Sequence, residues 1–144
     1  MSATTLLGGR YRLLGEVGHG GMAVVERAED VELNRVVAVK LLGDNFVRDD
    51  GIRRRFLREA RLAAGLAHPN VVRVFDVGED DGRPFFVMEY VEGETAADLV
   101  RREGPLAEAR AVELVVQACA GASAPRAERC GAKSRSRRPR LLRA

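Results

Sequence analysis

A glycine-rich stretch near the N-terminus has the composition of a phosphate-binding turn. Gly18, Gly20 and Gly21 lie in VGHGGMAVV (17–25), between two runs that are typical of β-strands. Glycine lets the backbone turn tightly and approach a ligand closely, because no Cβ is in the way. Backbone N–H groups in such a turn can face phosphate oxygens. Taken alone, however, the stretch is better explained as a glycine-rich hairpin.

A lysine inside a strand-like run is the second feature that could do chemistry. Lys40 ends VAVK within RVVAVKLL (35–42), a β-branched run that suits a half-buried strand. Such a lysine must either extend its amine to solvent or find an anionic partner. Glu59 is the natural partner, since it lies beside the apolar face of the next predicted helix. The alternative is a surface lysine and a solvated glutamate, but the nearby glycine stretch favours the ion pair.

Hydrophobic periodicity predicts the elements that would position these residues. Short turns join most of the predicted strands, which suggests a mostly antiparallel sheet with one helix packed on it, an α+β arrangement. The helix is read from Phe56, Ala60 and their apolar neighbours at helical spacing. We predict strands at 11–18, 22–30, 35–42, 71–79 and 84–91, and helices at 49–66, 95–103 and 107–120.

Composition is that of a globular protein. The 144 residues are 46% hydrophobic and 31% charged, and no run of about 18 apolar residues exists. The N-terminus lacks a basic start followed by a long apolar stretch, so neither a signal peptide nor a membrane span is expected. Cys119 and Cys130 make no disulfide framework. We therefore expect a cytoplasmic protein with reduced thiols.

Positive charge is concentrated at the C-terminal end. Residues 121–144 hold seven Arg, one Lys and one Glu, a net charge of +7, whereas the other 16 basic and 20 acidic residues give −4. We expect this tail to be disordered. It could bind nucleic acid through counterion release, but it has no aromatic residue for base stacking. An unstructured run with no selected role is the simpler interpretation, so a nucleic acid partner is not expected.

The motifs together resemble the N-terminal lobe of a bacterial-type serine/threonine protein kinase. GHGGMAVV resembles the glycine-rich loop and VAVK the third-strand lysine motif of that family. FLREARLAAGLAHPNVVRVFDVGE resembles the C-helix and fourth strand, and FFVMEYVEGETAADLV the fifth strand, hinge and D-helix. The resemblance covers about residues 9–120. It implies a five-stranded antiparallel sheet with a C-helix, then a hinge and two helices, with domains at 1–91 (lobe and hinge), 92–120 (start of the second lobe) and 121–144 (tail).

The resemblance also implies a role for individual residues, with ATP as the nucleotide and protein hydroxyls as the acceptor. One departure from the family pattern is Ala23, which replaces a third glycine and should cost only some loop freedom. His19 is expected to be an exposed residue at the loop tip. The implied phosphate-binding residues are Gly18, His19, Gly20, Gly21 and Lys40, with Glu59 orienting Lys40; the implied adenine contacts are Val17, Val25 and Ala38, the gatekeeper Met88, and the backbones of Glu89 and Val91.

The second half of a kinase active site is missing from the sequence. The only histidines are His19 and His68, so there is no H-R-D motif, and there is no D-F-G. Residues 121–144 contain neither Asp nor Asn, so they offer no such ligands for the Mg²⁺ that the family uses. We expect a catalytically incomplete chain: a kinase fragment or, alternatively, a non-catalytic module that binds a nucleotide or a partner.

The break after Gly121 has two explanations. Our hypothesis is that the reading frame shifted or the gene was truncated near codon 121, and the alternative is a short protein with a basic tail. In either case the helix predicted at 107–120 carries apolar residues with no obvious partner. We therefore expect self-association through this face, which includes Ala111, Leu114, Val115 and Ala118.

Overall fold

The computed structural model describes residues 6–123, and the α+β prediction is confirmed. A five-stranded sheet carries one helix, and two further helices follow the last strand. The strands are β1 (Tyr11–His19), β2 (Ala23–Asp30), β3 (Arg35–Leu42), β4 (Val74–Asp80) and β5 (Arg83–Glu89); the helices are α1 (Asp50–Ala64), α2 (Ala96–Glu103) and α3 (Glu108–Ala122), with a short 3₁₀ turn at Asp44–Phe46.

The sheet is antiparallel throughout, in the order β1-β2-β3-β5-β4. A two-residue loop, Asp81 and Gly82, joins β4 to β5, and the two residues have φ values of 46° and 78°. Two positive φ angles define the hairpin turn whose twist matches that of the flanking strands. The loop therefore fixes the β4–β5 register, and the pairing of β5 with β3 places β5 in the interior of the sheet.

The two faces of the sheet carry separate hydrophobic clusters, because side chains alternate along each strand. Val37, Val39 and Leu41 point to one face, where they pack with Tyr11 and Phe85. Ala38, Lys40 and Leu42 point to the opposite face, which is covered by α1. Lys40 therefore lies on the helix-covered side of β3.

Helix α1 is fixed to the sheet by packing and by polar contacts. Phe56 and Ala60, one turn apart, are fully buried, and the ring of Phe56 lies 5.2 Å from that of Phe86 on β5. Arg53 donates a 2.7 Å hydrogen bond to the carbonyl of Gly82 and forms an ion pair with Glu79. These contacts set the rotation of the helix about its axis, which decides where Glu59 points.

The turn after α1 shortens the fourth strand relative to our prediction. His68 Nδ1 accepts a 3.0 Å hydrogen bond from Asn70 N–H, as expected for a capped turn, and Val71 N–H donates to the carbonyl of His68 at 3.0 Å. This turn occupies the residues that we assigned to the beginning of the strand. As a result β4 begins at Val74 and not at 71.

Helix α3 touches the turn after α1 and exposes much of its apolar surface. Asn70 Nδ2 donates to the carbonyl of Gln117 at 3.0 Å, and Gly121 is buried where an added Cβ would lie 3.0 Å from Asn70 O. Val115 and Val116 are both 60% exposed. The helix ends at Ala122, two residues beyond our prediction. Self-association through this face stays a prediction.

Most of the predicted tail lies outside the described residues, and so does Cys130. Cys119, on α3, is a free and exposed thiol. Within residues 6–123 no helix is long and apolar enough to cross a membrane.

A buried carboxylate anchors the start of the sheet. Asp30, at the end of β2, is fully buried and accepts two hydrogen bonds of 2.8 Å from the guanidinium of Arg10. This pairing holds the pKa of Asp30 below its ordinary value. Nearby, Tyr11 donates a 2.8 Å hydrogen bond to Asp76 on β4, and burial raises the pKa of Tyr11. Together these bonds tie the N-terminal segment to β2 and to the far strand β4.

We predict that Asp30→Asn destabilises the fold by about 2–3 kcal/mol at neutral pH, because it breaks a largely buried ion pair. A carboxylate whose pKa is lowered by folding contributes stability above its unfolded pKa and loses it as the pH falls through the folded pKa. The difference between wild type and variant should therefore shrink below about pH 4. Urea unfolding at several pH values measures this.

Glu32→Gln is the matched control, because Glu32 also pairs with Arg10 but its side chain is 65% exposed. We expect it to change the unfolding free energy by less than about 1 kcal/mol. Equal effects of the two substitutions would contradict the anchoring role of Asp30.

Candidate nucleotide site

Lys40 and Glu59, which the sequence predicts to be partners, lie together in the structure. Lys40 Nζ lies 2.5 Å from Glu59 Oε1, which connects β3 to α1. The lysine side chain is 24% exposed and the glutamate side chain 48%. The pair therefore lies at the rim of the sheet–helix interface, where its remaining hydrogen-bonding capacity can face a ligand.

Sheet register surrounds Lys40 with one neighbour from each adjoining strand. Val25 on β2 and Phe86 on β5 lie directly opposite it. Lys40 Nζ is 5.6 Å from the centre of the Phe86 ring, within the range of a cation–π interaction. The ammonium group is thus held between an aromatic ring and a carboxylate.

The glycine-rich stretch forms the open hairpin between β1 and β2. Gly20 N–H donates to the carbonyl of Ala23 at 2.8 Å, which closes the turn. Our reasoning from sequence attributed its glycines to tight turning, but none of Gly18, Gly20 and Gly21 has a φ in the left-handed region. A Cβ at Gly18 or Gly21 would meet no atom within 4 Å. What these glycines leave is free space over the end of the sheet, which fits a phosphate-bearing ligand.

His19 lies at the exposed tip of this turn, as expected. Its side chain is 80% exposed, and Nδ1 lies 3.0 Å from Glu16 Oε1 on the same strand. It has no contact with Lys40 or Glu59 among its hydrogen bonds and ion pairs in residues 6–123. The geometry therefore does not connect His19 to the Lys40–Glu59 pair.

The predicted adenine-binding residues differ widely in exposure. Ala38 pairs with Met88 across β3 and β5, and Ala38 is only 4% exposed. Val17 is 51% exposed and Val91 63% exposed. The N–H of Glu89 is donated to the carbonyl of Arg73 at 2.8 Å. Any backbone contact from Glu89 to an adenine must therefore come from its carbonyl oxygen.

The part of the chain that the structure describes holds no group of three or more His, Cys, Asp or Glu residues that could bind a metal ion. The residues present thus fit a nucleotide better than they fit its metal.

Two residues that support the candidate site were not predicted from the sequence. Phe86 holds both Lys40 and Phe56, but the run PFFVMEYV does not reveal which of its two phenylalanines faces the helix. Arg53 fixes α1 to the β4–β5 hairpin, but it is one of three consecutive arginines. Only the strand register and the helix rotation single these residues out.

Comparison with known proteins places the chain among the kinases. The protein kinase domain family matches residues 11–124. The serine/threonine-protein kinase PrkC of Bacillus subtilis is 44% identical over 111 residues, which are 77% of this chain and 17% of PrkC. PknB of Mycobacterium leprae is 43% identical over 123 residues, which are 83% of this chain and 20% of PknB. The crystal structure of the Mycobacterium tuberculosis PknI kinase domain superimposes with a TM-score of 0.69 at 28% identity, covering 84% of this chain and 50% of that domain.

The chain therefore belongs to the protein kinase family. Its relatives include the bacterial serine/threonine-protein kinases PrkC and PknB, as the sequence motifs indicated. The chain spans about a fifth of the length of these curated relatives and half of the PknI kinase domain.

We predict a small energetic coupling between Lys40 and Glu59. A double-mutant cycle of Lys40→Met and Glu59→Gln should give about 0.2–1 kcal/mol in urea unfolding, because the carboxylate is half exposed and water screens the pair. A control cycle pairs Lys40→Met with Glu92→Gln, since Glu92 is exposed in the loop after β5. Coupling no larger than in that control would contradict the ion pair.

Proposed function

We propose that this chain forms the ATP-binding lobe of a serine/threonine protein kinase. The observation that carries the proposal is the 2.5 Å contact between Lys40 and Glu59 beside the open glycine-rich turn. A strand lysine held by a helix glutamate is the arrangement by which protein kinases engage the phosphates of ATP. The match of residues 11–124 to the kinase family supports the same interpretation.

Lys40 would position the phosphates in this proposal. Its ammonium group has three N–H donors, and Glu59 accepts one of them, so two are left for the α- and β-phosphates. Glu59 and the Phe86 ring restrict where Nζ can move. This preorganisation lowers the entropic cost of binding the phosphates.

The remaining predicted residues would hold the rest of the nucleotide. Backbone N–H groups between Gly18 and Gly21 would face the phosphates, with His19 at the solvent side of the turn. Val17, Val25 and Ala38 would pack against the adenine, with Met88 at the back. Its polar edge would meet the carbonyl of Glu89 and the backbone of Val91.

The family's reaction transfers the γ-phosphoryl group of ATP to a protein hydroxyl, and this step needs residues beyond the nucleotide lobe. The chain contains neither H-R-D nor D-F-G. This observation favours a second candidate function for the 144 residues by themselves: binding of a nucleotide, or of a partner, without transfer.

We expect the 144-residue chain to bind ATP more weakly than roughly 100 μM, because a half-built pocket buries little of the ligand. Lys40→Met should weaken this binding further. The matched control is Arg58→Met, which removes a positive charge from an exposed position next to Glu59. Calorimetry or NMR titration gives the two affinities. Submicromolar binding, or equal losses in both variants, would contradict the proposed site.

We also expect no phosphotransfer from ATP to a protein substrate by residues 1–144. General-base assistance alone is typically worth about 10²–10⁴-fold, and the aspartate that supplies it in kinases is missing here. Lys40→Met should therefore leave the assay unchanged. Transfer of labelled phosphate that wild type shows and Lys40→Met abolishes would prove that these residues suffice for catalysis.

A further inference from the structure

The structure contains a cavity that shares Glu89, but no other residue, with the candidate nucleotide site. It has a volume of about 530 Å³ and lies between the beginning of β3, the turn after α1 and the residues that lead into β4. Neither Lys40 nor the glycine-rich turn borders it. Three of its lining residues can donate hydrogen bonds from their side chains: Arg35, Arg73 and His68.

The guanidinium of Arg35 has no hydrogen-bonded anionic partner among the described residues. Its Nε is buried and has no hydrogen-bond partner there. The nearest carboxylate oxygen, on Asp30, is 3.5 Å away, and Asp30 already binds Arg10 through both of its oxygens. A buried donor without a partner calls for an explanation, and an ion or ligand is a common one.

The guanidinium of Arg35 is also held in place. Its Cζ lies 4.0 Å from the centre of the Phe75 ring, a stacked arrangement. The side chain is still 39% exposed and borders the cavity. A planar, immobilised guanidinium is well suited to bind an oxyanion through two parallel hydrogen bonds.

The other two donors add to this positive surface. Arg73 is exposed and forms no ion pair with any of residues 6–123. His68 accepts a hydrogen bond at Nδ1 from Asn70, so in the neutral ring the proton is on Nε2, which is then a donor. The one carboxylate of the lining, on Glu89, is 3.4 Å from the backbone N–H of Arg73. The lining therefore holds two arginines and one carboxylate, and Arg35 also lies 3.5 Å from the buried Asp30.

We propose that this cavity is an anion-binding site for a small phosphate monoester. Arg35 and Arg73 would bind the phosphate, and the apolar part of the ligand would pack on Val71 and Phe75. The volume lies within the range of about 300–1,000 Å³ that is typical of small-molecule sites. It therefore exceeds what a bare ion needs. The proposal does not rest on Lys40 or the glycine-rich turn, although Glu89 borders the cavity and also belongs to the predicted adenine contacts.

The test is an NMR titration of the 144-residue chain with phenyl phosphate, with inorganic phosphate and phenol as comparison ligands. A readout for each residue is needed, because the seven arginines of residues 121–144 also attract phosphate. We expect saturable shifts of the Arg35, Arg73 and Phe75 amides. Phenyl phosphate should bind more tightly than either comparison ligand, because only it engages both parts of the site.

Variants decide whether the arginines form the site. Arg73→Gln should weaken phenyl phosphate binding about tenfold, as expected for the loss of a hydrogen bond to a charged group. This position is exposed and free of ion pairs among residues 6–123, so the fold should tolerate the change. Arg35→Gln should weaken binding at least as much. Arg54→Gln, at an exposed position on α1, should leave it unchanged.

Two outcomes would overturn the proposal. In one, the shifts are lost in Lys40→Met and kept in Arg73→Gln, which would assign phosphate binding to the nucleotide site. In the other, the shifts do not saturate and are the same in all variants, which would reduce them to a general effect of ionic strength.

Discussion

The contact between Phe56 and Phe86 is the interaction on which the candidate nucleotide site depends. It joins α1 to the interior strand β5 with ring centres 5.2 Å apart, and both side chains are almost entirely buried. Glu59 is three residues further along the helix, nearly one turn from Phe56. Lys40 lies directly opposite Phe86 in the sheet. The aromatic contact therefore places the carboxylate and the ammonium group within reach of each other, and the ion pair itself need contribute little stability.

The ion pairs on the two faces of the sheet differ in their burial and in their hydrogen bonding. At the start of the sheet the carboxylate of Asp30 is fully buried and bound by two hydrogen bonds from Arg10, so its role is structural. Lys40 and Glu59 are both partly exposed and are joined by a single contact. A pair with free donors at the rim of a cleft can exchange partners when an anion arrives, whereas a saturated, buried pair cannot. This difference separates the anchoring pair from the one suited to ligand binding.

The sequence predicted the elements well where their patterns were strong. The β-branched run RVVAVKLL indicated a half-buried strand, and Phe56 and Ala60 at helical spacing identified the apolar face of α1. The prediction was less accurate at the beginning of β4. There, the alternation of VVRVFDVGE predicts a strand from residue 71, but the turn closed by the hydrogen bonds of His68 delays the strand to Val74. A local side-chain hydrogen bond that forms a turn competed with the extended backbone conformation. The hydrophobic pattern alone does not reveal which of the two is adopted.

By itself the sequence determined the fold class, the kinase resemblance, and the identity of Lys40 and Glu59 as partners, because each of these follows from residue type and spacing along one chain. Only the tertiary structure decided that Phe86 and not Phe85 faces the helix, that Arg53 fixes α1, and that Arg35, Arg73 and His68 border one cavity. These residues come from separate elements, and their proximity depends on strand register and helix rotation. A shift of one residue in the register would move every side chain of a strand to the opposite face. That sensitivity is the reason why the cavity could not be read from the sequence.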